Sequence, residues 1–338
     1  MLRRTRRTLW IVAAVLLVLA VAIYLRFKAP PEAARLLPES DGILYVNLRP
    51  MRALVHKNLN PVTREPGYQS FIDATGIDWE RDLEEAAVAL HRMKDPRGPN
   101  GPVAYSMVLV GKLDGKSLAR WLEAHASGKE NYDGHTVYSI PSEGRTVRVA
   151  QIAYDMVAVS NYPSTEQIHS MLDRHRTAAL PFSGSTLLAE RYSEVPILSL
   201  AWGMGQIGLP FSESGNVQIL GMQLPLRADT TFLASVHWAG ALKLRVVEIA
   251  DSEAAAASQA ATLSMLLNLA RGATAGLAEN TANNGLREVL RTTQISQHRN
   301  RVEADATLPQ SLPIDLLNAG GNTSGASPVG GNPGGALK

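Results

Sequence analysis

The longest apolar stretch of the chain runs from Leu9 to Leu25 without a charge or a proline. At about 1.5 Å per residue it makes a helix of roughly 25 Å, the short end of what crosses a hydrocarbon core of about 30 Å. Trp10 and Tyr24 stand near its ends, where amphipathic rings settle. Arg26 and Lys28 can reach outward and lengthen the span. Arg3, Arg4, Arg6 and Arg7 precede it. The positive-inside bias then puts the N-terminus in the cytoplasm and the bulk of the chain outside. The expectation is a basic cytoplasmic segment (1–8) and a single-pass anchor (9–25) in the cytoplasmic, or inner, membrane, with the rest in the periplasm. A cleaved signal peptide is the alternative, since Ala20-Val21-Ala22 fits the small-x-small pattern. Against it, Ile23, Tyr24 and Leu25 carry the apolar run further.

Beyond the anchor the pattern alternates between strand and helix periods. Strands are expected at Ile43–Leu48, Val103–Val110, Val195–Trp202 and Val217–Leu224, and a meander at Thr136–Ile140, Thr146–Ile152 and Met156–Ser160. Phe232, Ala234, Val236 and Trp238 alternate, Gly240 turns the chain, and Leu242, Leu244 and Val246 alternate back. A last hairpin runs through Ile295, turns at Arg299-Asn300 and returns as Val302, Ala304, Ala306 and Leu308. Helices are expected at Leu54–Asn60, at Tyr68–Thr75 up to Gly76, and from Asp78 through Leu90, with Leu83, Ala86, Ala87 and Leu90 on one face. Three more cover Lys116–Ala126, Thr165–Arg176 and Glu253–Arg271, the last ended by Gly272. Each of these three follows a strand and a side-chain oxygen suited to an N-cap: Asp114, Ser164, and Asp251 with Ser252. Ser164 with Gln167 fits a capping box.

The expected fold is α+β: an N-terminal transmembrane helix, then antiparallel sheets with helices packed on one face, in two related lobes. Pro30 and Pro31 stiffen a stalk (26–35). The first lobe covers 36–194 and the second 195–318, meeting near Phe182–Glu194 or Leu209–Gly215. The Gly/Asn/Ser/Pro tail (319–338) has almost nothing to bury and is expected to be disordered.

Composition narrows the function. The 338 residues carry a net charge of +2, and the N-terminal arginines supply more than that. The remainder is near neutral or slightly acidic, which argues against a nucleic-acid surface. The absence of cysteine removes disulfides, thiolate metal sites, cysteine nucleophiles and cysteine lipidation.

Several segments resemble a known family. Leu37-Pro38-Glu39-Ser40-Asp41 leads into Ile43-Leu44-Tyr45-Val46; Thr75-Gly76-Ile77-Asp78 precedes Asp82-Leu83; Val110-Gly111-Lys112-Leu113-Asp114 runs into Leu118 and Leu122. From Leu36 to Trp202 the chain is similar to bacterial membrane-anchored envelope proteins with an exported domain of unknown function. Ile295-Ser296-Gln297, Val302 and Thr307-Leu308-Pro309 are more loosely similar to related bacterial proteins. The resemblance implies an anchor plus an exported α+β domain, and brings no catalytic residues.

Candidate chemistry is thin. Val108 to Ser117 reads strand, glycine turn, helix, with Gly115-Lys116-Ser117 at the helix start. A P-loop needs four residues between its glycines, and only three separate Gly111 from Gly115. Asp114 also puts a negative charge where a phosphate would sit, so a capped turn is the better reading. Gly203, Gly205 and Gly208 match the dinucleotide fingerprint, but Leu209-Pro210 leaves no room for the required helix, and a flexible loop between lobes fits better. His169 and His175 are six apart and face different ways on their helix; Asp173 could pair with His169. His125 and His135 could converge near Asp133, while His237 should face solvent. Glu84 and Glu85 face apart on a helix. No catalytic, cofactor-binding or metal-binding residue is assigned.

The leading expectation is a membrane-tethered, non-enzymatic envelope protein. Its exported domain would bind or scaffold an unknown protein or lipid partner, with membrane lipid around Leu9–Leu25 and neither nucleotide nor nucleic acid. The alternatives are an exported enzyme with an unrecognised site, and a lipid-binding or transport module using an apolar groove between sheet and helix.

Overall fold

The structure is a computed structural model and describes residues 2–50, 66–98, 101–142, 144–177, 184–206, 216–219, 222–225, 230–275 and 281–309. The helix expected at Leu54–Asn60, the joint at Leu209–Gly215 and the tail lie outside these residues.

The N-terminal segment forms helix α1, Leu2–Lys28. The expected transmembrane anchor does not stand: among the described residues, no helix is long and apolar enough to cross a membrane. The charge-free run is confined to Leu9–Leu25, at the lower limit of a spanning length, and basic residues flank it on both sides. The signal-anchor and single-pass assignments fall with it.

The body is built on one sheet rather than on separate sheets in two lobes. Its strands are β1 (Gly42–Asn47), β2 (Leu83–Arg92), β3 (Val103–Gly111), β4 (Gly128–Tyr132), β5 (His135–Ser142), β6 (Arg145–Ala153), β7 (Met156–Ser160), β8 (Ser199–Gln206), β11 (Thr231–Trp238), β12 (Leu242–Ile249), β13 (Gln294–His298) and β14 (Arg301–Thr307). A separate hairpin pairs β9 (Asn216–Ile219) with β10 (Met222–Pro225). The twelve-stranded sheet has the order β13-β14-β12-β11-β8-β1-β2-β3-β7-β6-β5-β4, and its neighbours are antiparallel. It crosses the expected boundary at residue 194 through the β1–β8 pair, where Leu44 meets Gly203 and Val46 meets Ala201. Outward from that pair the two arms follow one plan. β1, β2, β3, β7 and β6 on one side correspond in order to β8, β11, β12, β14 and β13 on the other.

Helices cover both faces, not one. On the first face lie α2 (Glu32–Arg35), α6 (Glu166–Arg176) and α7 (Thr186–Arg191). Ala33, Leu36, Leu37, Ile168, Met171, Leu172 and Leu188 pack there on Ile43, Tyr45, Ala87, Ala89, Val108, Trp202 and Met204. On the second face lie α3 (Pro66–Thr75) and α5 (Gly115–His125). Phe71, Leu118 and Leu122 cover Val157, Val159, Tyr138 and Val149 there. At the other end of that face, α9 (Thr281–Thr292) sets Val289 on Leu242, Leu244 and Ala306. Beside it, α8 (Glu253–Ala275) sets Ala256 and Leu263 against Val302 and Ile295.

Local differences from the sequence reading have identifiable causes. Asp78 caps only the four-residue helix α4, Trp79–Asp82, by accepting from the Glu80 amide. Leu83–Arg92 then becomes strand β2 between β1 and β3. Its helical spacing is overridden because flanking strands pair its backbone on both sides. Gly272 does not stop α8, α9 was not foreseen, and Ser164 bonds Glu166 without forming the capping box. The β4–β5 hairpin turns on Asp133-Gly134, both at positive φ (48° and 81°), as an Asp-Gly turn favours.

Candidate functional site

Successive strand residues point to opposite faces. Ile43 and Tyr45 therefore join the packed first face, and Leu44 and Val46 face the other way. Register extends that second face sideways. Leu44 lies between Val88 and Gly203, and Gly203 beside Ala234. Val46 lies between Ala86 and Ala201, then come Val236 and Leu244. Together they floor an apolar trough of about 430 Å³. All its lining residues belong to β1, β2, β8, β11 and β12, so among the described residues no helix forms its wall. It occupies the middle of the face, between the α3/α5 cover and the α8/α9 cover.

The floor of the trough is built from small residues. Ala86, Ala201, Gly203 and Ala234 carry at most one carbon beyond Cα. A Cβ on Gly203 would come within 2.6 Å of Leu44 Cδ2, so the glycine is what lets Leu44 lie down across β8. Leu44 remains 40% exposed, although it sits in the centre of a twelve-stranded sheet. Behind the trough, Tyr45 stacks on Trp202 at 5.3 Å and donates its hydroxyl to Glu85. Burial, with Glu85 beside it, pushes the Tyr45 phenol well up.

A second, polar pocket of about 560 Å³ opens where β1 ends, lined by Arg49, Arg81, Asp82, Glu84, Lys112 and Asp114 among others. Its charges are mutually engaged. Arg49 bridges Glu84 (2.7 Å) and Glu85 (3.3 Å), and Arg81 pairs with Asp82. Glu84 and Glu85, expected on a helix, are thus joined by one guanidinium at the start of β2.

The residues weighed from sequence are held in structural roles. Asp114 accepts from the amides of Lys116 and Ser117 and from the Ser117 hydroxyl, occupying the place a phosphate would need and lowering its own pKa. Gly203 and Gly205 belong to β8, which continues to Gln206, and Gly208 lies outside the described residues. His169 bonds Glu130 at 2.8 Å and lies flat on Tyr132, whose hydroxyl takes Asp173. His125 bonds the Trp121 carbonyl, His135 that of Gln151, and Asp133 meets Arg176, so these three do not converge. His237 is half-buried rather than solvent-facing, and burial lowers its pKa. Among the described residues, no three His, Asp or Glu side chains gather as a metal site.

One constellation escaped the sequence. His91 Nε2 lies 2.9 Å from Ser106 Oγ, which lies 3.0 Å from Ser160 Oγ. Burial pulls the His91 pKa down to about 4, against the opposing pull of Asp41 and of a hydrogen bond to the Glu39 backbone. A neutral imidazole whose other nitrogen donates to that carbonyl accepts from Ser106. Both serines are fully buried and His91 is nearly so, so the three side chains have no route to a substrate. They pin β2, β3 and β7 together on the packed face.

No protein-family model and no curated protein matches the chain. Among solved structures, TP0453 in crystal form I is similar over 87% of this chain and 98% of its own, with 11% identity and a TM-score of 0.46. Crystal form IV gives 88% and 99%, with 11% identity and a TM-score of 0.43. At that distance the likeness carries no functional implication.

Proposed function

We propose that this chain is a non-enzymatic binding module, and that the trough on its central strands holds the hydrocarbon chain of a lipid. The observation that carries the reading is an apolar strand floor at the centre of the sheet that none of the described helices covers, while helices cover the face on either side of it. The chemistry favours hydrocarbon over peptide. The floor strands are each paired on both sides, so they offer no backbone edge to an added strand. A peptide's amides would lose their water without compensation, whereas a hydrocarbon has none to lose. At about 430 Å³ and lined by apolar side chains, the trough suits a slender hydrocarbon chain lying along the strands. We retain a place in the bacterial envelope as part of this proposal, on the strength of the family resemblance.

The test is displacement of Nile red from the full-length protein by saturated fatty acids of increasing length. Affinity should rise with chain length, with myristate bound measurably. Ala201→Phe with Ala234→Phe, which fills the floor, should remove both dye and acid binding while leaving the unfolding midpoint in place. Dye and acid binding that survive the filled floor would refute the assignment.

A further inference from the structure

At one end of the trough the sheet carries an exposed apolar lip. Trp238 continues the row Ala234, Val236 along β11 and is 48% exposed. A register shift between Val236 and His237 sets His237 opposite Ser199, the first residue of β8, so the turn residues Ile197 and Leu198 lead into β8 at the end of the sheet where Trp238 closes β11. Leu198 is 64% exposed and its neighbour Ile197 54%. The backbone at Leu198 has φ of 66°, the left-handed region that a branched side chain adopts only at a cost. Glycine or asparagine would serve that turn more cheaply, yet the chain strains its backbone and turns a leucine outward. Single exposed apolar residues are ordinary; three together at the mouth of an apolar trough are not.

We propose that Ile197, Leu198 and Trp238 form a docking lip that dips into the surface of a lipid bilayer, so that an acyl chain passes from the bilayer into the trough without crossing water. The inference rests on the acyl-chain reading of the trough and adds the surface through which the ligand arrives. Lipid is favoured over a protein partner by two features. Trp238 follows the floor residue Val236 on the same face of β11, and β8 and β11 are interior strands with no free edge for a partner to pair with. Tryptophan beside aliphatic residues is also the side-chain set that partitions at the headgroup–acyl boundary. Because contact is made by uncharged groups, neutral phosphatidylcholine suffices and salt has little effect.

The experiment compares two rates and affinities on the full chain. One is extraction of pyrene-labelled phosphatidylcholine from neutral vesicles. The other is binding of monomeric myristate with no vesicles present. Leu198→Asp should slow extraction by about tenfold or more, since a charge at the boundary opposes insertion, and leave myristate affinity within about twofold of the parent. Leu198→Gly separates function from folding, because glycine relieves the left-handed backbone and should raise the unfolding midpoint while still slowing extraction. Raising salt from about 0.05 to 0.5 M, which shortens the Debye length severalfold, should leave extraction unchanged. Equal extraction by parent and both variants, or extraction that collapses with salt, overturns the lip while the trough stands. Failure of the parent to bind myristate overturns the trough reading itself.

Discussion

The two faces of the central strands start from the same kind of residue and end differently. Ile43 and Tyr45 look to one side of β1, Leu44 and Val46 to the other, and none of the four is charged. On the first side α2, α6 and α7 close over the strands, and Ile43, Met204 and Leu188 are fully buried. On the second side the described helices stop at the two ends and leave Leu44 in the open. Burial on one face is enough to hold a strand in a sheet; apolar side chains on the other face are then free to serve a ligand. Small residues occur on both faces, Ala87 and Ala89 under helices and Ala86, Ala201 and Ala234 in the trough, so it is the helix cover and not residue size that separates them.

The largest expected effect contrasts neighbours on β1. Ile43→Ala should cost about 2–5 kcal/mol, as deletions in a closed core do, while Leu44→Ala should cost less than about 1 kcal/mol because its site is already partly in water. Urea unfolding of the two variants decides it, and similar losses would erase the distinction between the faces. The next effect belongs to the polar part of the packed face. His91 has a folded pKa of about 4 against an ordinary 6.5, so the unfolded chain binds its proton first on acidification. Its contribution is fully present above pH 6.5, is lost as pH falls toward 4, and is flat below; the total is on the order of 3 kcal/mol. Urea midpoints measured across that window should fall, and a His91→Gln protein should show a shallower fall.

A smaller effect tests how α7 is held on the packed face. Buried Ser185 accepts from the Leu188 amide at the start of that helix, so Ser185→Ala should lower stability by about 1 kcal/mol. The smallest effect on stability lies across the sheet. Ala234→Phe adds a ring where there is empty space and should move stability by no more than about 0.5 kcal/mol, as changes away from packed sites do. A large loss there would mean that the trough is already occupied by the protein itself.

Much of this fold can be read along the chain, because alternation and capping are local. The β11–β12 hairpin, the last hairpin and the Asp114 cap all follow from residues within a few positions of one another. What is not local is lost. Ala86 and Ala87 sit at helical spacing and form a strand only because β1 and β3 flank them. The trough joins Ala86, Ala201 and Ala234, which lie far apart in sequence and carry no mark of their own beyond being small. His91 and Ser160 meet through Ser106 for the same reason. The apolar run at Leu9–Leu25 misled in the opposite way. Its composition suits a membrane, but it lies at the lower limit of a spanning length, and among the described residues no helix is long and apolar enough to cross. The Asp133-Gly134 turn was a legible hairpin signal that the histidine pattern obscured.

The central claim is that the apolar trough left uncovered by the described helices takes up hydrocarbon. Calorimetric titration of the full-length protein with myristate at several temperatures tests it most directly, because burying apolar surface gives a negative heat-capacity change. The account requires saturable binding of one chain per protein, with enthalpy growing more favourable on warming, and loss of both in the protein carrying Ala201→Phe and Ala234→Phe. Saturable binding that persists unchanged in that filled protein, or no binding at any temperature, would contradict it.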